Sequence, residues 1–218
     1  MKHYLEIYDG LLAEYAFSSA DNAKFWEDHW GKQKIRMAID KASKGYLNGM
    51  TFMLDELRQD DKILEAGCRG QNLAALKARG FQVFGIDFAD SIIREIKEIR
   101  PDLDVRTGDL KDLPFGDGEF TVYLSFGVLE HFVKEEDVKT IINEAKRVTS
   151  QKIFISVPYL SPVLIQNYRR DKLDKNVSEG IFYQYYFSQA EIKNLLCRNG
   201  LIPYKTVFYG TYLGLKKY

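Results

Sequence analysis

Residues 62–87 read KILEAGCRGQNLAALKARGFQVFGID, an order of strand, glycine turn, helix, strand and acidic residue. Ile63 and Leu64 form a short apolar run that ends at Glu65, and the turn Gly67-Cys68-Arg69-Gly70 opens a helix over 72–78 with Leu73 and Leu76 on one face. Gly80 suits a left-handed helix close, and Val83, Phe84, Gly85 and Ile86 make a second buried strand with Asp87 at its carboxyl end. A unit of this kind sets two parallel strands side by side, joined by a right-handed crossover.

The chemistry follows from the topology. Open α/β sheets bind ligands beyond the carboxyl ends of their strands, and a glycine turn lets backbone N–H groups approach an anionic group closely. Asp87 stands about 20 positions past Gly67, where a carboxylate accepts hydrogen bonds from two ribose hydroxyls. The stretch therefore points to a nucleoside-containing ligand with a negative group at its other end. It lacks G-x-G-x-x-G, which argues against a dinucleotide and its oxidoreductase chemistry.

Downstream, strands and helices keep alternating. A helix over 91–99, capped by Asp90 or Ser91, is stopped by Pro101, and 103–107 reads as a short strand ending in Gly108-Asp109-Leu110. Asp109 at that end can accept from an exocyclic amine, or it can cap its own turn. Residues 120–126, FTVYLSF, form the most strand-like run and lead to Glu130-His131, where an imidazole can serve as a general base or as a structural hydrogen-bonding group. A helix over 135–148 and a fifth strand over 152–157 complete an α/β, doubly wound, mostly parallel Rossmann-like sheet with helices on both faces.

Around this core at 61–158 the sequence predicts three additions to a single domain. Residues 1–60 read as a helical cap, in which Phe25, Trp26 and Trp30 either pack on the sheet or line the pocket, since positions 26 and 30 share a face. Residues 159–187, with the charge run 169–172 and the aromatic run 182–187, form a lid inserted after strand five. Residues 188–218 supply a helix opened by the capping box Ser188-Gln189-Ala190-Glu191, a sixth strand over 201–209 and an undecided seventh over 211–218.

Composition narrows the partners. The chain has 218 residues, and 31 Lys and Arg balance 31 Asp and Glu, so no global field recruits nucleic acid. Its two cysteines, Cys68 and Cys197, read as free thiols of a reducing, cytoplasmic setting. The N-terminus has no signal-peptide core, and polar and proline residues break the longest apolar run, which excludes a membrane span. His3, His29 and His131 are dispersed without ligand spacing, so no metal site is expected.

Four motifs, in order and at normal spacing, resemble the class I S-adenosylmethionine-dependent methyltransferases, in particular the small-molecule type known as methyltransferase type 11. They are Glu65-Ala66-Gly67-Cys68, Gly85-Ile86-Asp87, the loop from Gly108 to Phe115, and Val128-Leu129-Glu130-His131. The resemblance implies that S-adenosyl-L-methionine is the cofactor and a small molecule the methyl acceptor. It implies that Glu65, Gly67, Cys68 and Arg69 border the methionine part, Asp87 holds the ribose, Phe88 faces adenine, and Asp109 with the Leu110 N–H meets the adenine edge. Phe126 and Gly127 would offer backbone near the sulfonium, Trp26 and Trp30 would close over the cofactor, and His131 would act as catalytic base, with Glu130, Tyr159 and Tyr183 as lesser candidates.

The loop departs from the family where glycine is usual, at Arg69 and Gln71. Either Gly70 supplies the left-handed position from a shifted turn and Arg69 pairs with the cofactor carboxylate, or Arg69 fills the pocket. The second case would make the chain a non-catalytic binding or regulatory protein on the same fold.

Overall fold

The structure, a computed structural model, describes residues 3–8, 11–16, 32–43, 51–162, 164–166 and 181–208, with backbone alone at 3–8, 11–16, 32–33, 43 and 181–183. Two antiparallel strands open the chain, β1 (His3–Tyr8) and β2 (Leu11–Ala16), followed by helices α1 (Lys32–Ser43) and α2 (Thr51–Leu54). The core then runs β3 (Lys62–Ala66), α3 (Gln71–Lys77), β4 (Gln82–Asp87), α4 (Asp90–Ile99), β5 (Asp104–Thr107), β6 (Phe120–Phe126), α5 (Glu135–Val148) and β7 (Thr149–Ser156). Strand β8 (Ile181–Tyr186) and helix α6 (Gln189–Arg198) follow.

The five core strands lie in the order β5-β4-β3-β6-β7, and every neighbouring pair is parallel. Period-two alternation sends adjacent residues to opposite faces. Ile63, Val83, Val122 and Leu124 meet α1, α3 and α4 through Ile35, Ile39, Leu73, Leu76, Ile92 and Ile96. On the other face Leu64, Ile86, Phe120 and Tyr123 meet α5 through Val138, Ile141, Ile142 and Ala145, with Leu195 and Leu196 of α6 at its margin. Because both faces are covered, β3, β4 and β6 are buried along nearly their whole length, which is why they read as continuous apolar runs.

The additions differ from the sequence reading. The first 16 residues contain a hairpin where a helical cap is predicted, although α1 and α2 follow it, and β2 pairs with β8 in a three-stranded antiparallel sheet ordered β1-β2-β8. The predicted lid therefore ends in a strand fixed by a partner some 170 residues away in sequence (Leu12 opposite Tyr186). Phe187, just past β8, exchanges hydrogen bonds with the chain leaving β7: its N–H donates to the Pro158 carbonyl at 3.0 Å, and its carbonyl accepts from Leu160 N at 2.9 Å. This ties the small sheet to the carboxyl rim of the large one.

The capping box stands as predicted, with Glu191 N donating to Ser188 Oγ at 3.3 Å and Ser188 N to Glu191 Oε2 at 2.6 Å. The predicted sixth strand does not: the described residues 201–208 form none. Pro203 removes a ladder donor, and Lys205 pairs with Glu56 at 2.6 Å instead. Position 209 and the 211–218 segment lie outside the described residues. Neither Asp90 nor Ser91 caps α4; Ala89 holds that position without a side-chain bond, and Asp90 accepts from Thr107 Oγ1 at 2.9 Å. Among the described residues no helix is long and apolar enough to cross a membrane, and no group of metal-ligating side chains occurs.

Candidate functional site

The glycine turn after β3 is clamped from two sides. The N–H groups of Gly67 and Cys68 both donate to the Ile86 carbonyl, at 2.9 and 3.1 Å, which folds the turn over the end of β4. Gly67 has φ of 77°, and a Cβ placed on it would lie 2.4 Å from Val128 Cγ2. Only glycine satisfies both the left-handed backbone and that approach to the segment after β6. Gly70, with φ of 79°, is the second left-handed position and starts α3, as the shifted-turn reading requires.

Between these glycines Cys68 turns inward. It is fully buried, its Sγ occupies the space left by Gly85, and burial pushes its thiol well above the ordinary range. Its share in any ligand contact is confined to backbone. Arg69, half-buried, is the cation whose field reaches three buried carboxyl groups at the ends of the adjacent strands β4, β3 and β6.

Those three carboxyls define the site. Glu65 accepts from Asn72 Nδ2 at 2.5 Å through Oε1, while Oε2 has no hydrogen-bond partner. Burial pushes Glu65 up to about 7, with Asn72 and Arg69 opposing and the nearby Asp87 charge adding to the rise. Asp87 is anchored by the Ala89 N–H, which donates to Oδ1 at 2.9 Å, and burial raises it to about 6 against that bond and the Arg69 charge. Glu130 sits in a single 3-10 turn, Leu129–His131, with only 2% of its surface exposed. Its Oε2 is also unpartnered, and burial lifts it to about 8 despite backbone N–H groups and Arg69.

His131 follows on the same turn, its Nε2 3.9 Å from Glu130 Oε1, and its side chain is 13% exposed. Strand β8 runs beside this turn, so the aromatic run reaches the His131 end of the rim. Gly127, left-handed at φ 71°, donates its N–H to the Ser156 carbonyl at 3.0 Å, and Phe126 is buried beneath it. What these two can offer a ligand is carbonyl oxygen.

The turn thus brings Glu65, Gly67, Arg69, Asp87, Gly127, Glu130 and His131 to the adjoining ends of β3, β4 and β6. Phe88, 44% exposed, stands on the rim just past Asp87. Asp109 lies farther out, after the edge strand β5, and its Oδ1 accepts from Lys111 N at 2.9 Å, so that oxygen caps its own turn. Leu110 beside it is buried. Tyr159 is exposed past β7, Tyr183 is described by backbone alone, and Trp26 and Trp30 lie outside the described residues. Asn72 was not among the predicted site residues, although its place one turn of chain after Glu65, at the start of a helix otherwise rich in Leu and Ala, is a signal for a buried polar partner.

A doubly wound parallel sheet, a left-handed glycine turn after its central strand and a carboxylate closing the next strand are features this chain shares with the class I, S-adenosylmethionine-dependent methyltransferases. Residues 64–155 match a methyltransferase domain, that of the type 11 family. A probable S-adenosylmethionine-dependent methyltransferase of Mycolicibacterium smegmatis is 36% identical over 72 residues, which is 32% of this chain and 27% of that protein. One of Mycobacterium tuberculosis is 31% identical over 101 residues, 44% of this chain and 35% of that protein. The chain thus spans only about a third of the length of these curated relatives.

Two solved structures share the fold. Magnesium protoporphyrin IX methyltransferase from Synechocystis, solved with SAH bound, has a TM-score of 0.61 at 15% identity, over 86% of this chain and 88% of its own. An S-adenosylmethionine-dependent methyltransferase from Methanosarcina mazei has a TM-score of 0.60 at 20% identity, over 70% of this chain and 85% of its own.

Proposed function

We propose that this chain transfers a methyl group from S-adenosylmethionine to a small-molecule acceptor at the rim shared by β3, β4 and β6. The observation that carries this reading is the meeting of three buried carboxyl groups, two with an unpartnered oxygen, beside the left-handed Gly67 turn. Such a set of acceptors suits a ligand that combines vicinal hydroxyls with positive charge, and the residues present therefore fit this cofactor. When bound, S-adenosylmethionine supplies an electrophilic methyl carbon on a positively charged sulfur.

The chain's own part is binding and alignment. Asp87 accepts from the ribose hydroxyls, held in place by the Ala89 N–H. Gly67 lets backbone approach the amino-acid end, where Glu65 accepts from the ammonium and Arg69 donates to the carboxylate. Phe88, Asp109 and the Leu110 N–H border the adenine, and Phe126 and Gly127 present carbonyls near the sulfur. His131 takes the proton released when an acceptor hydroxyl or amine gains the methyl group. Tyr159, exposed past β7, faces the acceptor side.

The balanced charge of the chain and the tyrosine-rich β8 favour a small, partly apolar acceptor over nucleic acid. Two free thiols suit a cytoplasmic setting. The altered turn also supports a second reading, a binding protein that holds the cofactor without turning it over.

Calorimetric titration with S-adenosylmethionine and S-adenosylhomocysteine, on wild type and Asp87→Ala, tests the site. Micromolar binding that weakens about 100-fold in the variant is expected from the loss of two charge-assisted hydrogen bonds. Absence of binding to wild type would overturn the reading, and binding without turnover across an acceptor panel would favour the second one.

A further inference from the structure

Glu130 is the least expected of the three carboxyls. It has no side-chain donor of the kind Asn72 gives Glu65, and no backbone amide donates to its Oε2 as the Ala89 N–H donates to Asp87 at 2.9 Å. Its carboxyl nonetheless sits buried under Gly127, whose missing side chain leaves Oε1 only 3.4 Å from where a Cβ would stand. An orphaned carboxylate oxygen in a buried rim position is costly unless something positive arrives.

Resting on the methyltransferase reading above, we infer that Glu130 is a specificity residue that makes the pocket prefer the cationic sulfonium of the methyl donor over the neutral sulfur of the demethylated product, by losing its proton when the sulfonium is bound. The two ligands differ by one unit of charge and one methyl group, and their amino-acid ends are the same. Any difference in charge response therefore arises at the sulfur. In the empty site Glu130 is held protonated by burial, up to about pH 8. Arrival of a cation favours the ionised form, a proton leaves to solvent, and the new carboxylate balances the sulfonium.

The surroundings favour that assignment. Arg69 from the glycine turn and His131 on the same 3-10 turn are the cationic groups facing Glu130 among the described residues. β8, packed beside the turn, ends in Tyr185 and Tyr186 and adds no cation.

The sign with pH follows from linkage. Below pH ~8 each unit of rising pH makes the proton easier to release, so affinity for S-adenosylmethionine climbs relative to S-adenosylhomocysteine, then levels off above it. At an effective dielectric of about 20, one unit charge in a shared pocket is worth about tenfold in affinity after the proton has been removed.

The test is calorimetry of both ligands at pH 6, 7 and 8, in two buffers of different ionisation enthalpy, on wild type and Glu130→Gln. Wild type should release about half a proton more with S-adenosylmethionine than with S-adenosylhomocysteine at pH 7. Glu130→Gln, which mimics the protonated carboxyl in shape, should abolish that difference and lower affinity for the sulfonium ligand about twofold at pH 7 and about fivefold at pH 8, while the neutral-sulfur ligand stays unchanged at both. Equal proton release by the two ligands in wild type, or a variant that weakens both ligands alike or neither, overturns the inference. If wild type binds neither ligand, the methyltransferase reading itself falls, a result distinct from binding without charge discrimination.

Discussion

The two halves of the rim are built on different principles. On the β3–β4 side everything is local: the turn, Glu65, Arg69, Asn72 and Asp87 fall within 26 residues, and backbone hydrogen bonds from Gly67 and Cys68 to Ile86 fix their geometry. On the β6–β7 side the corresponding groups, Glu130 and His131, sit on a single 3-10 turn whose surroundings come from far along the chain. That turn is held by β8, by the Pro158–Leu160 exchange with Phe187, and by Val128 pressed against Gly67. The contrast shows one rim built in two ways, its β3–β4 half encoded within a short stretch of chain and its β6–β7 half assembled by tertiary pairing.

Splitting the halves by mutation gives the largest expected effect. His131→Ala should lower turnover on a hydroxyl or amine acceptor by about 10²–10⁴-fold, while affinity for S-adenosylhomocysteine stays within about twofold. Steady-state kinetics beside calorimetry would check it. Equal losses in both would mean that His131 belongs to the ligand-holding half, and unchanged turnover would remove it as the base.

Striking at the joint should affect both halves. Gly67→Ala forces a left-handed alanine, about 1–2 kcal/mol, and drives its methyl into Val128, about 1–3 kcal/mol more. Urea unfolding should report a loss of about 2–5 kcal/mol, part of which Val128→Ala in the same chain should return. A double variant no more stable than Gly67→Ala alone would show that backbone strain, not the contact with Val128, sets the cost.

The same contrast governs what could be read in advance. Residues 62–87 were legible because strand, turn, helix and acidic strand end are each encoded within a few residues, and the helix over 135–148 and the capping box are equally local. The N-terminal hairpin was not read, although Asp9-Gly10 between two alternating runs is a strong short-range hairpin signal. The aromatics at 25–30 drew the whole segment toward helix, and the third strand of that sheet lies at the other end of the chain. Position 201–208 failed for the opposite reason: its apolar residues suggest a strand, but Ile202 is 89% exposed and Pro203 interrupts any ladder. At the site itself Asp87 was plain from spacing. The burial of Glu130 was not, because it depends on β8, Gly127 and the field of Arg69, which no local pattern expresses.

The smallest expected effect tests whether the distant half depends on local encoding at any point. Ser188 lies two residues past β8 and caps α6, and α6 lays Leu195 and Leu196 against the face occupied by α5. Ser188→Ala removes the acceptor for Glu191 N and leaves Glu191 Oε2 bonded to the Ser188 backbone, so only half of the capping box is lost. A cost of about 1 kcal/mol is expected. If α6 merely decorates the sheet, that cost should appear in global unfolding while hydrogen exchange of the β8 amides stays unchanged. If the cap also positions β8, those amides should exchange about fivefold faster, the local counterpart of the same free energy, and the acceptor half would then owe part of its placement to a signal four residues long.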